Sequence, residues 1–452
     1  MPDFNDALEA RIPADSPDAI RQVLLHAWSR DLTTLKTLLE RPGAASEQDT
    51  KTGETPLHAV VRGCGPAATA QPGGDEDEDD EEGEEDSEVA EARACIQELF
   101  FSGAIWNDVD DHNETPGCTA LRLGHKSLYR MFVDAGVRAE MLFGLMGGYE
   151  QLSSGAADDE EDMEREADEQ QQGEEAKEDE EATGGKEERE SEVAEEDAPA
   201  KDTEEPTPAQ FVAPDAGEKT VTSEDYLQST ITYDGDKLLD EDLNGVMMAW
   251  ETDIMRRSVA TLLPSPSSSS SPGPRILNIG FGMGIVDGLF ADLHPSKHHI
   301  IEAHPGVLAH VTSGGHPRFN PAWEASGPEP GAFQVLPGRW QDVVPTLAER
   351  GELYDAIYFD TFGEDYAQLR DFFSDWVPAL LNAEGRFGFF NGLGADRRVC
   401  YDVYARVFEM HAAEAGLDVE WQDVEVDMRG LGEDGKGAWE GVRRRYWTLD
   451  SK

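Results

Sequence analysis

Arg275-Ile-Leu-Asn-Ile-Gly-Phe-Gly-Met-Gly-Ile285, followed by Ile300-Ile-Glu302, decides how this 452-residue chain reads. The apolar run 276–279 suits a central parallel strand. Gly280, Gly282 and Gly284 then let the backbone turn sharply, so that a ligand can approach bare peptide groups. Glu302 stands 20 residues beyond Gly282, at the tip of a second apolar run, where a carboxylate can accept two hydrogen bonds from a ribose diol. Dinucleotide sites usually carry G-x-G-x-x-G, and here the spacing is G-x-G-x-G, without the Lys-Ser/Thr of a triphosphate loop. The pattern therefore points to a nucleoside cofactor lacking phosphate, S-adenosylmethionine.

Charge divides the rest of the chain. The net charge is −58. Between Asp75 and Asp86 every residue except Gly83 is acidic, and residues 158–205 hold 25 acidic against 5 basic side chains. Together these tracts carry more than half of the excess. Like charges repel and little there is apolar, so both read as solvated insertions or linkers. Such a surface repels phosphates, which argues against direct nucleic-acid binding and for a basic protein partner. Cys64, Cys95, Cys118 and Cys400 show no C-x-x-C spacing, so neither a metal cluster nor a disulfide framework is expected. No apolar run approaches the roughly 20 residues that span a bilayer, and no signal peptide is legible, so a soluble intracellular protein is expected.

The amino-terminal part holds a disguised repeat. Gly53-Glu-Thr-Pro-Leu-His-Ala59 matches the opening of an ankyrin repeat, with Thr55 capping a helix and Pro56 in its first turn. Apolar residues at helical spacing over 18–39 supply a preceding helix pair, and a degraded second start appears at Asn113-Glu-Thr-Pro-Gly117. Thr55 and Thr115 are 60 residues apart, and removing the acidic insertion at about 66–92 restores a period near 33. Segments 125–136 and 137–145 close the array. His58 reads as a hydrogen-bonded turn residue, although an unrelated helical domain with a chance T-P-L-H is the alternative.

The remainder alternates. Strands are expected at 275–279, 298–302, 333–337, 354–359, 385–390, 419–426 and 445–449, with helices at 286–293, 305–313, 340–350, 365–381 and 397–416. Strand-helix alternation implies a parallel sheet, and the last two strands form an antiparallel pair on one edge. The fold class is thus α/β: a seven-stranded Rossmann-like methyltransferase domain over 223–452, preceded by a small all-α ankyrin-like domain over 1–150 and an acidic linker over 151–222. Ligands of such sheets bind beyond the carboxyl ends of the strands. Two acids stand out there. Asp360 ends the strand 354–359, and Glu251 lies in the apolar helix expected over 246–255, where a buried acid calls for a cationic partner. Alternatively Glu251 caps a helix or pairs with Arg256 or Arg257, and Asp360 caps the next helix. Met247 and Met255 fall on one face of that expected helix, a spacing more common in cores than at cofactors.

The segments V-M-M-A-W-E-T-D-I-M, N-I-G-F-G-M-G-I, E-A-H, W-Q and Y-F-D-T-F, in that order, resemble guanidinoacetate N-methyltransferase. The chain is still more similar to the fungal type IV arginine N-methyltransferases, which join ankyrin-like repeats to such a domain. The resemblance covers about 226–449 and the repeats. It implies methyl transfer from S-adenosylmethionine to the internal, or delta, nitrogen of an arginine in a large-subunit ribosomal protein; a monomer of cytoplasm and nucleus is expected. By motif, it assigns cofactor contacts to Tyr226, Met247, Met255, Phe281, Gly282, Met283, Gly284, Ile285, Val286, Glu302, Ala303, His304, Trp340, Gln341 and Asp360, and catalysis to Glu251 and Asp360. The Pro/Ser run 264–274 departs from the family pattern but falls in a loop. A small-molecule guanidino methyltransferase and a non-catalytic binding factor are the competing readings; the repeats count against the first and the three site acids against the second.

Overall fold

In the computed structural model, the structure describes residues 4–67, 87–145, 221–264, 272–433, 435–443 and 445–450. Both acidic tracts and the serine run after Pro264 lie outside them. The described residues of Met1–Ser154 and Lys219–Lys452 pack as one compact unit.

The chain begins with a single turn, α1 (Leu8–Arg11), and then stacks three helix pairs: α2 (Asp18–Trp28) with α3 (Leu32–Leu38), α4 (Pro56–Gly63) with α5 (Ser87–Phe101), and α6 (Pro116–Arg122) with α7 (Lys126–Leu145). Thr55 and Thr115 each cap their helix through the side-chain oxygen, and proline follows in the first turn of both. The threonine caps expected from the sequence are therefore present. His58 is a buried turn residue, with Nδ1 2.8 Å from Thr55 Oγ1 and Nε2 2.9 Å from Glu114 O. The two expected closing segments are instead one helix, α7. Gly136 does not break it, because that position lies against Val403 and Trp106 and is held by their packing.

The second half starts with α8 (Ser223–Gln228) and an antiparallel three-stranded sheet, β1 (Thr232–Asp234), β2 (Lys237–Leu239) and β3 (Gly245–Met248). A 3-10 turn (Ala249–Glu251) leads into α9 (Thr252–Leu262). This corrects the expected helix over 246–255. An apolar run cannot by itself separate strand from helix, and here its first half pairs with β2. Met247 and Met255 consequently do not share a helical face.

A parallel sheet follows, built from β4 (Arg275–Ile279), β5 (Lys297–Glu302), β6 (Phe333–Pro337), β7 (Tyr354–Phe359) and β8 (Leu381–Phe389). Its helices are α10 (Ile285–Ala291), α11 (Pro305–Thr312), α12 (Pro321–Ala325), α13 (Trp340–Glu349), α14 (Tyr366–Asp371), α15 (Val377–Leu380) and α16 (Arg398–Glu414); a short α17 (Met428–Leu431) lies near the end. Strand order β6-β5-β4-β7-β8 puts β4 in the centre, with the chain winding outward on either side. That is the Rossmann-like arrangement, and its switch point lies beside β4.

The expected sixth and seventh strands do not form among the described residues. Val426 N donates to Asp450 O at 2.8 Å, but 419–423 is exposed, with Trp421 46% accessible. The alternation that suggested strands has another origin. Trp439 and Trp447 are fully buried with Met248, Ile254 and Tyr401, so the carboxy-terminal segment is an irregular cap fixed by aromatic side chains.

Candidate active site

Backbone bonds carry the sheet beyond its strands and build the site. Gly280 N donates to Ile301 O at 2.9 Å and Asp360 N to Ile279 O at 2.9 Å, so the ends of β4, β5 and β7 converge. Gly280 has φ +91°, and a Cβ there would stand 1.9 Å from Asp360 O. The first glycine is thus required by the close passage of the next strand end, as well as by its own left-handed backbone.

Glu302 ties the glycine turn to β5. Its Oε2 accepts from Phe281 N at 2.9 Å and Gly282 N at 3.4 Å, and its Oε1 from His304 N at 2.6 Å. Burial holds its carboxyl above the ordinary range, against the pull of these amides. Beneath the turn, Asn278 Nδ2 donates to Gly280 O at 2.7 Å and to Asp287 Oδ2 at 2.9 Å, while Asp287 Oδ1 meets His298 Nε2 at 2.9 Å.

Two recesses open here. The first is lined by Tyr226, Met247, Gly282, Glu302, Trp340 and Gln341, among others. Met247 Sδ accepts from Met283 N at 3.2 Å, and the Tyr226 ring lies 4.6 Å from His304 and 5.0 Å from Phe362. Ala303 lines this recess too, whereas His304 works behind it, reaching Tyr226 O through Nε2 at 3.1 Å. The structure does not bring Met255 to either recess: it is fully buried in the core, as are Phe281 and Val286. Met283 and Ile285 pack against that same core, and Gly284 is the N-cap of α10.

The second recess holds Glu251, Asn391, Arg397 and Tyr446. The two share Val246, Asp360, Thr361, Phe362 and Glu364 as a common wall. Glu251 is 3% exposed and its Oε1 accepts from Met248 N at 3.0 Å. Of the alternative roles, Glu251 does act as a cap, since that bond closes the turn Ala249–Glu251, while the others are not adopted. Arg256 and Arg257 pair with Asp253, and the helix after β7 is capped by Asp365.

Sequence reasoning missed Glu364 and Tyr446. Glu364 accepts from Trp340 Nε1 at 2.9 Å, Gln341 Nε2 at 3.1 Å and Thr361 Oγ1 at 2.8 Å, and burial raises its pKa. Its place in Asp360-Thr-Phe-Gly-Glu-Asp365, just past a strand end, was an available signal. Tyr446 donates its hydroxyl to Glu251 Oε1, and nothing local in the sequence announces that.

The first recess fits S-adenosylmethionine. Gln341 Oε1 is buried there with no hydrogen-bond partner, an acceptor suited to an amine or hydroxyl. Among the described lining residues the cation is Arg339, which Glu224 occupies at 2.9 Å, so little there would favour a phosphate. Central-strand glycine turn, acid on the neighbouring strand and adjoining acidic recess together define a methyltransferase of the S-adenosylmethionine-dependent class.

Comparison with known proteins narrows this. The guanidinoacetate N-methyltransferase family profile matches residues 217–412. Protein arginine N-methyltransferase 2 of Gibberella zeae is 58% identical over 99% of this chain and 94% of its own length, and that of Neurospora crassa 55% identical over 99% and 97%. The Saccharomyces cerevisiae counterpart is 33% identical over 90% of this chain and 83% of its own. Among solved structures, Aeropyrum pernix fibrillarin with S-adenosyl-L-methionine gives a TM-score of only 0.27 at 16% identity, over 47% of this chain and 80% of that one, and carries no weight. The chain belongs to the protein arginine N-methyltransferase 2 family.

Proposed function

We propose that this enzyme transfers a methyl group from S-adenosylmethionine to the internal nitrogen of an arginine in a basic protein, with a large-subunit ribosomal protein as the substrate class. The observation that carries the reading is the wall shared by the two recesses: Asp360 faces both, and Glu251 faces the second. A methyl donor held in one and a guanidinium held in the other would meet at Asp360.

An arginine side chain is a delocalised cation with a pKa above about 12, and so a poor nucleophile. Glu251 and Asp360 accept charge-assisted hydrogen bonds from its terminal nitrogens, drawing positive charge outward and leaving electron density on the internal one. When bound, S-adenosylmethionine supplies an electrophilic methyl on a sulfonium. The chain's part is then geometric: the glycine turn and Glu302 would hold the nucleoside, Trp340 and Gln341 are fixed through Glu364, and the acids would align the acceptor for in-line attack. Either acid can take the released proton. The stacked helix pairs we read as ankyrin-like repeats, whose role is to hold a basic polypeptide beside the cleft.

The test offers labelled S-adenosylmethionine with total ribosomal protein and, separately, with guanidinoacetate, and places the label by mass spectrometry. Delta-methylarginine in one basic protein is the expected result. Label confined to guanidinoacetate would overturn the protein-substrate reading.

A further inference from the structure

The carboxy-terminal cap reaches the acid that the reaction depends on. Tyr446 donates its hydroxyl to Glu251 Oε1, the same oxygen that accepts from Met248 N at 3.0 Å. The tyrosine ring is itself fixed. It lies so close to Gly245 that a Cβ there would be 2.8 Å from Cε1, it stacks on Trp250 with centroids 6.1 Å apart at 26°, and Trp439 meets it edge-on at 5.4 Å. Trp439 and Trp447 anchor the segment on either side, both fully buried. Burial, then the neighbouring Glu251 charge, raises the phenol well above its ordinary pKa, so it stays a donor at neutral pH.

The geometry matters because the last torsion of a glutamate is broad and roughly two-fold. The Met248 amide fixes one bond direction at Oε1, and the Tyr446 hydroxyl, a second donor of fixed direction on the same oxygen, helps set the carboxylate plane. The carboxylate plane in turn sets how a flat guanidinium can lie, since two parallel bonds form only edge to edge. Rotation of a guanidinium by about 120° in its own plane exchanges the internal nitrogen for a terminal one.

We propose that Tyr446 is a positioning residue for Glu251 and that it determines which arginine nitrogen receives the methyl. This rests on the reading of the site as a delta-nitrogen methyltransferase. A Glu251 carboxylate released from Tyr446 lets the guanidinium turn and present a terminal nitrogen, so that omega-methylarginine forms beside the delta product.

Tyr446→Phe keeps the ring and removes the hydroxyl. With labelled S-adenosylmethionine and total ribosomal protein, the acid hydrolysate is separated into delta- and omega-methylarginine. The variant is expected to turn over about tenfold more slowly, to place a measurable fraction of label on the omega position, and to bind S-adenosylmethionine as the parent does. Thr448→Val is the control: it removes a hydroxyl bond from the same segment, Thr448 Oγ1 to Asp396 O at 2.9 Å, and is expected to keep the parent's rate and product. Delta product alone at the parent rate from Tyr446→Phe overturns the proposal. So does a fall in cofactor affinity that tracks the fall in rate, or a Thr448→Val variant with the same mixed product, since either means the segment is only a structural brace. Absence of delta-methylarginine from the parent enzyme overturns the delta-nitrogen reading itself and is seen before any variant is compared.

Discussion

Gly280 and the two acids show how much chemistry rests on single positions. A methyl group on Gly280 would stand 1.9 Å from Asp360 O on a backbone with φ +91°, so Gly280→Ala must push the ends of β4 and β7 apart. We expect a lower melting temperature together with weaker S-adenosylmethionine binding, measured by calorimetry. Asp360→Asn and Glu251→Gln separate the two recesses. Both should lower turnover, on the order of a hundredfold, because on the proposed reading each removes a carboxylate that would meet the substrate cation. Cofactor affinity should fall roughly tenfold in Asp360→Asn and stay close to the parent's in Glu251→Gln, since only Asp360 faces the first recess. Parental turnover in both variants would refute the roles assigned to them. Asp360 was legible from its place at the tip of an apolar strand. Glu251 was legible as a buried acid, but the local structure around it was not, because 246–255 is equally apolar as strand or helix.

At the level of the element, α4 carries a pH dependence that can be isolated. His58 stands at the third position of the helix, bonded to the Thr55 cap and to Glu114 O. Burial first, and the Arg62 charge second, push its pKa from 6.5 down to about 3. The folded state therefore holds His58 neutral, while the unfolded chain takes up a proton below 6.5. Stability from this group is fully present above pH 6.5 and is lost as pH falls from there toward 3, by at most about 1.4 kcal/mol per pH unit. His58→Gln keeps a side chain that completes a capping box, without the titration. Its denaturation midpoint should fall less steeply with acidification than the parent's, and identical slopes would show that His58 does not titrate differently on folding. In the same helix Thr55→Ala should cost about 1 kcal/mol at neutral pH. The repeat signature predicted these caps because T-P-L-H encodes local contacts. Continuity of α7 through Gly136 was not encoded locally, since tertiary packing holds that glycine in the helix.

Across the whole molecule, the helix pairs and the sheet behave as one body. Helix α7 lies along α16, with Tyr129 OH 2.5 Å from Asp402 Oδ2, and Asn113 Oδ1 accepts from Arg397 Nη2 at 2.8 Å. Arg397, Cys400 and Tyr404 of that region also line the second recess. The stacked helix pairs thus buttress the second recess. Gly136→Val should force α7 away from Val403, where a Cβ would already stand 2.5 Å off, and should lower the melting temperature of the entire enzyme in a single transition. Two separated transitions, with the second unchanged, would show the halves to be independent.

The sequence alone determined the parallel sheet, the glycine turn with Glu302, the threonine caps and the acid at the end of β7. The caps rest on interactions within a few residues, the sheet and the acid at its end on apolar strand runs alternating with 3.6-residue helical periods, and Glu302 on its spacing from the glycine turn. The tertiary structure alone decided that the parallel sheet has five strands among the described residues, that Glu364 braces Trp340 and Gln341, and that Tyr446 holds Glu251 from 195 positions away. Those contacts join segments distant along the chain, where aromatic burial outweighs strand propensity, and a local pattern carries no record of which distant surface a side chain will meet.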